Sequence, residues 1–189
     1  MLFFIARPYR GAATDPSKGT PYEHEVERIK SVLRETFKYA VVFDAWDVYI
    51  RDRTHIFSKI EEPGRSRGKQ VYRRGIEVAA AADAVIAYLP RRSMGSADEI
   101  AAASRNGKLV ICISPPDPAT GERVKNWTVI THTVYEDNIY ESMDAFIEDV
   151  RKGAILEKLR RSGAYIDKEM VEPMCSPDRH RLSLNHDSK

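Results

Sequence analysis

A parallel sheet covered by helices on both faces is the fold class this sequence predicts, and two observations predict it. Short, continuous apolar runs recur without polar alternation, as strands buried on both faces require. Between them lie longer segments with apolar residues at helical spacing, so strand and helix alternate along the chain. The first strand is "LFFIA" (Leu2 to Ala6), which ends in the Gly- and Pro-rich loop "RPYRGAATDPSKGTP". Val26, Ile29, Val32, Leu33 and Phe37 then mark a helix from Tyr22 to Phe37, and "AVVF" (Ala40 to Phe43) is the second strand. "EEPGRSRGK" reads as a mobile loop, "QVYRRGIEVAAAA" as a helix that tolerates Gly75, and "DAVIAYL" as the third strand. A helix from Ala97 to about Arg105 is stopped by Asn106 and Gly107, a C-terminal cap. "LVICIS" is the fourth strand, "WTVITHTV" the expected fifth, and a helix from about Tyr140 to Arg161 closes the unit. The expectation is a Rossmann-like (flavodoxin-like) α/β domain with a five-stranded parallel sheet over residues 1–165. Residues 166–189 form a C-terminal tail expected to be poorly ordered.

Composition narrows the function classes. The 189 residues suit one compact domain, and a formal charge of +2 argues against a nucleic-acid or membrane-surface protein, which would concentrate basic charge on one face. "MLFFIA" carries no basic leader and is too short for a signal peptide or a membrane span. Two cysteines (Cys112 and Cys175) and five scattered histidines offer no disulfide framework and no metal spacing. A cytoplasmic protein with reduced thiols and neither metal nor cofactor is expected.

In such sheets ligands bind beyond the carboxyl ends of the strands. That singles out Arg7 to Pro21, Asp44 onward, Pro90 to Ser96 and Ser114 to Asn126, with Glu99 directly behind the third loop. Two readings of Glu99 compete. Ser96-Ala97-Asp98-Glu99 fits a capping box, in which the Ser hydroxyl and Glu carboxylate satisfy exposed helix amides. The other reading makes Glu99 a nucleophile, kept ionised by a helix N-terminus.

"SMGSADE", set after "ADAVIAYLPRR" and before "NGKLVICIS", resembles the nucleoside 2-deoxyribosyltransferase superfamily. Its members carry a G-[ST]-x-x-E element between a strand and a helix, and the Glu attacks the sugar C1′. The resemblance makes Glu99 the nucleophile, with Gly95 and Ser96 in the turn beneath it, and a homodimer is implied. Where the transferases carry an Asp six residues before that Glu, this chain has Ser93. Ser is what the nucleoside 5′-monophosphate N-hydrolase branch shows there, where it contacts the 5′-phosphate. A hydroxyl donates to a phosphate that a carboxylate would repel. "RPYRGA" supplies Arg10 and Gly11, similar to that branch's phosphate-lining "RG", and Tyr9 is placed to stack on the base or orient the nucleophile. "GERVKNW" puts Asn126 where relatives reach into a neighbouring subunit's site, while Trp127 packs the loop. "ISPP" with "NW" also resembles the cytidylate and hydroxymethylcytidylate hydrolases. The resemblance covers roughly Leu2 to Val150.

One departure stands out. The family's Asp in the helix before the third strand falls on Gly75, counted eight residues back from Asp83. Asp44 or Asp47 is then the carboxylate available from another direction, unless both serve ordinary loop or capping roles. Arg73 and Arg74 flank the gap on a solvated helix face. The implied activity is hydrolysis of a nucleoside 5′-monophosphate to free base and sugar 5-phosphate through a glycosyl-Glu99 ester. Base exchange between deoxynucleosides is the alternative within the class. A nucleotide-binding sensor that does not cleave its ligand is the alternative outside it, favoured by Gly75.

Overall fold

The structure is a computed structural model that describes residues 1–8, 22–45, 47, 65–116, 121 and 136–163. Strand β1 (Leu2–Ala6) is central, with β2 (Val41–Asp44) on one side and β3 (Ala84–Tyr88), β4 (Leu109–Ile113) and β5 (Ile139–Tyr140) on the other. All four pairings are parallel, in the order β2-β1-β3-β4-β5. The expected flavodoxin-like α/β fold is the observed one.

The alternation of side chains along each strand explains the uniformly apolar runs. Phe3 and Ile5 of β1, with Ala84, Ile86 and Tyr88 of β3, pack under helix α1 (Glu23–Thr36), α4 (Met143–Arg151) and α5 (Ala154–Arg161). Phe4, Ala6, Val85 and Ala87 face the other way, toward α2 (Arg65–Ala81) and α3 (Met94–Arg105). Both faces are covered, so neither parity can be polar. The α2/α3 side is built from small residues, Ala79, Ala82, Ala87 and Ala103 among them, which let both helices lie close on the sheet. Cys112 is buried in this layer, and its thiol is pushed up to about 12 by burial, so it behaves as a small hydrophobe.

Three boundaries differ from the sequence expectation. Helix α2 starts at Arg65, inside the stretch read as a loop, because one interior glycine, Gly68, does not outweigh the good helix formers around it. Helix α3 starts at Met94 rather than Ala97. The closing helix is two helices, since Gly153 adopts φ 81° between them and redirects the chain. That turn lets Ile155 and Leu159 join the core beside Phe146 and Val150. The described fifth strand is Ile139–Tyr140, whereas "WTVITHTV" and the tail 166–189 lie outside the described residues. Among the described residues no helix is long and apolar enough to cross a membrane.

The order of the strands places the switch point between β1 and β3, since the chain leaves β1 for one edge and returns through α2 to the other side. A crevice outside the carboxyl ends of these strands is where this architecture holds ligands. Arg7, Asp44 and the turn from Leu89 to Ser93 all lie at that end.

Candidate active site

Helix α3 begins on Ser93, whose extended backbone (φ −142°, ψ 118°) is that of an N-cap. Its Oγ accepts from the Ser96 backbone N–H at 3.3 Å and from the Ser96 hydroxyl at 3.0 Å. The capping partners are therefore Ser93 and Ser96, and the Ser96–Glu99 capping box does not form. Sequence reading placed the helix start three residues late because both serines satisfy the same cap rule. The first turn carries no acidic residue, which leaves the positive end of the helix dipole open to an anion. At Gly95 a Cβ would meet nothing within 4 Å, so no contact with a described residue requires the glycine. Gly95 is half-buried.

Glu99 stands six residues beyond the cap, too far in for the dipole to dominate its charge. It is 5% exposed, and its Oε2 has no hydrogen-bond partner among the described residues. Burial first, then the charges of Asp44 and Asp98, raise its pKa well above the usual carboxylate value. The expectation that the helix N-terminus keeps it ionised is thus corrected: desolvation and two like charges hold its proton more tightly. Asp98, one residue earlier, accepts from the Tyr72 hydroxyl of α2 on the surface.

Asp44 lies at the end of β2, 1% exposed, inside an ion-pair network. Arg7 Nη2 meets its Oδ2 at 2.7 Å, and Lys30 Nζ meets the same oxygen at 2.9 Å. Lys30 also reaches Asp47 at 2.5 Å and Glu27 at 2.9 Å, and Arg7 reaches Glu23 at 3.1 Å. Burial opposes the Lys30 charge, but these carboxylates outweigh it and its pKa is raised. Glu23, Glu27 and Asp47 bring oxygens within 4.8 Å of one another, and each is engaged by Arg7 or Lys30. This network was missed in the sequence. One signal for it exists: Lys30 falls on the apolar face of α1, between Val26 and Leu33, where a lysine must find buried partners.

The structure thus brings Ser93, Gly95, Ser96 and Glu99 together on one helix, with Asp44 close enough for its charge to act on Glu99. Gly75 packs directly against Glu99 from α2. Tyr9, Arg10, Gly11 and Asn126 lie outside the described residues. A cavity of about 370 Å³ sits at the opposite end of the sheet, between Leu109 at the start of β4 and Lys158 and Arg161 of α5, remote from these residues.

No known family's sequence pattern matches the chain, and no curated protein sequence does. Solved structures do resemble it. The 2-deoxyribosyltransferase of Bacillus psychrosaccharolyticus superposes with a TM-score of 0.53 at 17% identity, over 78% of this chain and 90% of that one. A conserved protein of Enterococcus faecalis V583 superposes with a TM-score of 0.55 at 14% identity, over 80% and 98%. At such identities the likeness establishes the fold: this is an α/β protein with the architecture of a 2-deoxyribosyltransferase.

Proposed function

We propose that the protein cleaves the N-glycosidic bond of a nucleoside 5′-monophosphate, with Glu99 as nucleophile. The observation that carries this reading is the Glu99 carboxyl, buried behind the switch point and retaining one oxygen without a hydrogen-bond partner among the described residues. Most buried side-chain oxygens have a partner, so an unpartnered one calls for an explanation that attack on a substrate carbon supplies. In the reaction a Glu99 oxygen bonds to C1′ as the C1′–N bond breaks, the bond's electron pair goes to the departing base, and the base takes a proton from solvent that the attacking water later returns. Water then attacks C1′, releasing the sugar 5-phosphate and restoring the carboxylate. Oxocarbenium character at C1′ is stabilised by the adjacent negative charge.

The phosphate is assigned to the α3 N-terminus, where Ser93, Gly95 and Ser96 sit at the positive end of the helix dipole. Arg10 and Gly11 are proposed to complete this subsite, and Tyr9 to stack on the base. Base exchange by the same nucleophile is the second reading; the fold shared with a 2-deoxyribosyltransferase favours it, and Ser93 in place of an Asp counts against it. Incubation with a panel of nucleotides and nucleosides, followed by chromatography of the free base, separates the readings. Release of base supports hydrolysis, base swapping supports transfer, and binding without turnover supports the sensor.

Ser93→Asp is a selective test of the phosphate subsite. Asp is as good an N-cap as Ser, so the helix start survives. The added charge should repel a phosphate, and kcat/KM for the 5′-monophosphate should fall by roughly 100-fold or more while that for the nucleoside changes little. Equal losses on both substrates would remove the phosphate assignment.

The homodimer proposal rests on Asn126. If Asn126 completes a neighbour's site, a Glu99→Ala chain and an Asn126→Ala chain should complement each other in mixed dimers, where one site keeps both native residues. Light scattering that finds a fully active monomer at assay concentration contradicts it.

A further inference from the structure

Helix α2 carries Gly75 in its buried face, where alanine is the better helix former. A Cβ built on Gly75 would lie 2.9 Å from Glu99 Oε1 and 3.8 Å from Glu99 Cδ, with Phe4 Cζ next at 4.0 Å. The obstacle is therefore the end of one side chain on another helix. Glycines that let two helices cross closely would set the missing Cβ against backbone, and this one does not.

We propose that Gly75 is a positioning residue for Glu99. The absent side chain lets the Glu99 carboxyl lie against α2 with Oε1 beside Gly75, and Oε2 is the oxygen without a hydrogen-bond partner among the described residues. An aspartate at position 75 is incompatible with this placement, because its first side-chain carbon already enters the space that Oε1 fills. The glycine is then a rearrangement around the carboxyl rather than the loss of a functional group. The catalytic half of this proposal rests on Glu99 being the nucleophile; the structural half does not.

The test is a cycle of Gly75→Ala, Glu99→Ala and the double variant, followed by thermal unfolding and by steady-state kinetics. In the Glu99→Ala background, Gly75→Ala should raise the melting temperature, as helix propensity requires. With Glu99 present the rise should be absent or reversed, because the new methyl group displaces the carboxyl. A Gly75→Ala chain that fails to fold while the double variant folds is the same result in stronger form. Turnover by Gly75→Ala should show kcat lowered about tenfold or more with KM within about threefold, the mark of a misplaced reacting group. Equal melting shifts in both backgrounds overturn the proposal, whatever the activity. Coupled melting with kcat unchanged overturns Glu99 as nucleophile while leaving its placement by Gly75 standing, so the two failures are told apart.

Discussion

Glu99→Gln abolishes turnover and makes the protein more stable at neutral pH. The first effect follows from the proposed chemistry: an amide cannot form the glycosyl ester, and the loss in kcat should be roughly 1000-fold or greater. The second follows from burial. The pKa of Glu99 is raised in the folded protein, by desolvation and then by Asp44 and Asp98, above the value of 4.5 that an unperturbed Glu has. The folded state therefore binds this proton more tightly than the unfolded state does. Below the unfolded pKa the carboxyl is neutral in both states and costs nothing. As pH rises from there toward the folded pKa, stability is lost, because the unfolded chain ionises first. Each unit of raised pKa corresponds to about 1.4 kcal/mol, and 1 kcal/mol to roughly 3 °C in a chain of this size. Gln carries no such penalty, so its melting temperature should exceed that of the native protein at pH 7, with the gap closing as pH falls below the usual carboxylate range. Melting scans across pH check this. A capping-box Glu would behave differently, since Gln fills that position as well and Glu99→Gln would leave stability nearly unchanged at every pH.

Asp44→Ala lowers stability sharply, by about 3–5 kcal/mol, because it takes from two buried cations the one fully buried carboxylate they share. The side chains of Arg7 and Lys30 have no solvent exposure, and both meet Asp44 Oδ2. The remaining carboxylates, Glu23, Glu27 and Asp47, are each partly exposed and engage the outer side of the pair. Removing the fully buried member leaves Arg7 and Lys30 with only these partly exposed partners. The melting temperature should drop by roughly 10 °C. Asp44→Asn, which keeps the shape, also removes one of the two charges that raise the Glu99 pKa. An ionised Glu99 is required for attack, so activity falls as pH drops through its pKa. In Asp44→Asn that acid limb should move to lower pH. A pH–rate profile of kcat/KM is the check, and an unmoved limb would separate Asp44 from the site.

The fold was legible because both parities of each strand are buried. "LFFIA", "DAVIAYL" and "LVICIS" are apolar throughout, and only a sheet covered on both faces asks for that. What escaped the sequence was local and competitive. Ser93 and Ser96 are both sound N-caps, and in the structure Ser93 takes the role, its Oγ accepting from the Ser96 backbone N–H. Gly153 could have been tolerated inside one long helix, but a left-handed conformation there lets α5 fold back onto the core. The motif singles out Glu99 in the sequence, whereas its burial and raised pKa are written in no motif. Burial and the charge of Asp44 come from the three-dimensional arrangement of α2, α3 and β2, which no local spacing encodes. The Arg7–Asp44–Lys30 network joins residues 7, 30 and 44, and only the packing of α1 across the β1–β2 pair brings them together.

The most direct test of the account is to identify the carboxyl that becomes glycosylated. The protein is mixed with a deoxynucleoside 5′-monophosphate, quenched in acid during turnover, digested and mapped by mass spectrometry. Addition of a deoxyribose 5-phosphate to the peptide containing Glu99, with fragmentation that places it on Glu99 and its disappearance in Glu99→Gln, is the result expected. The same adduct found on Asp44 or Asp98, or base released at the native rate by Glu99→Gln, would contradict it.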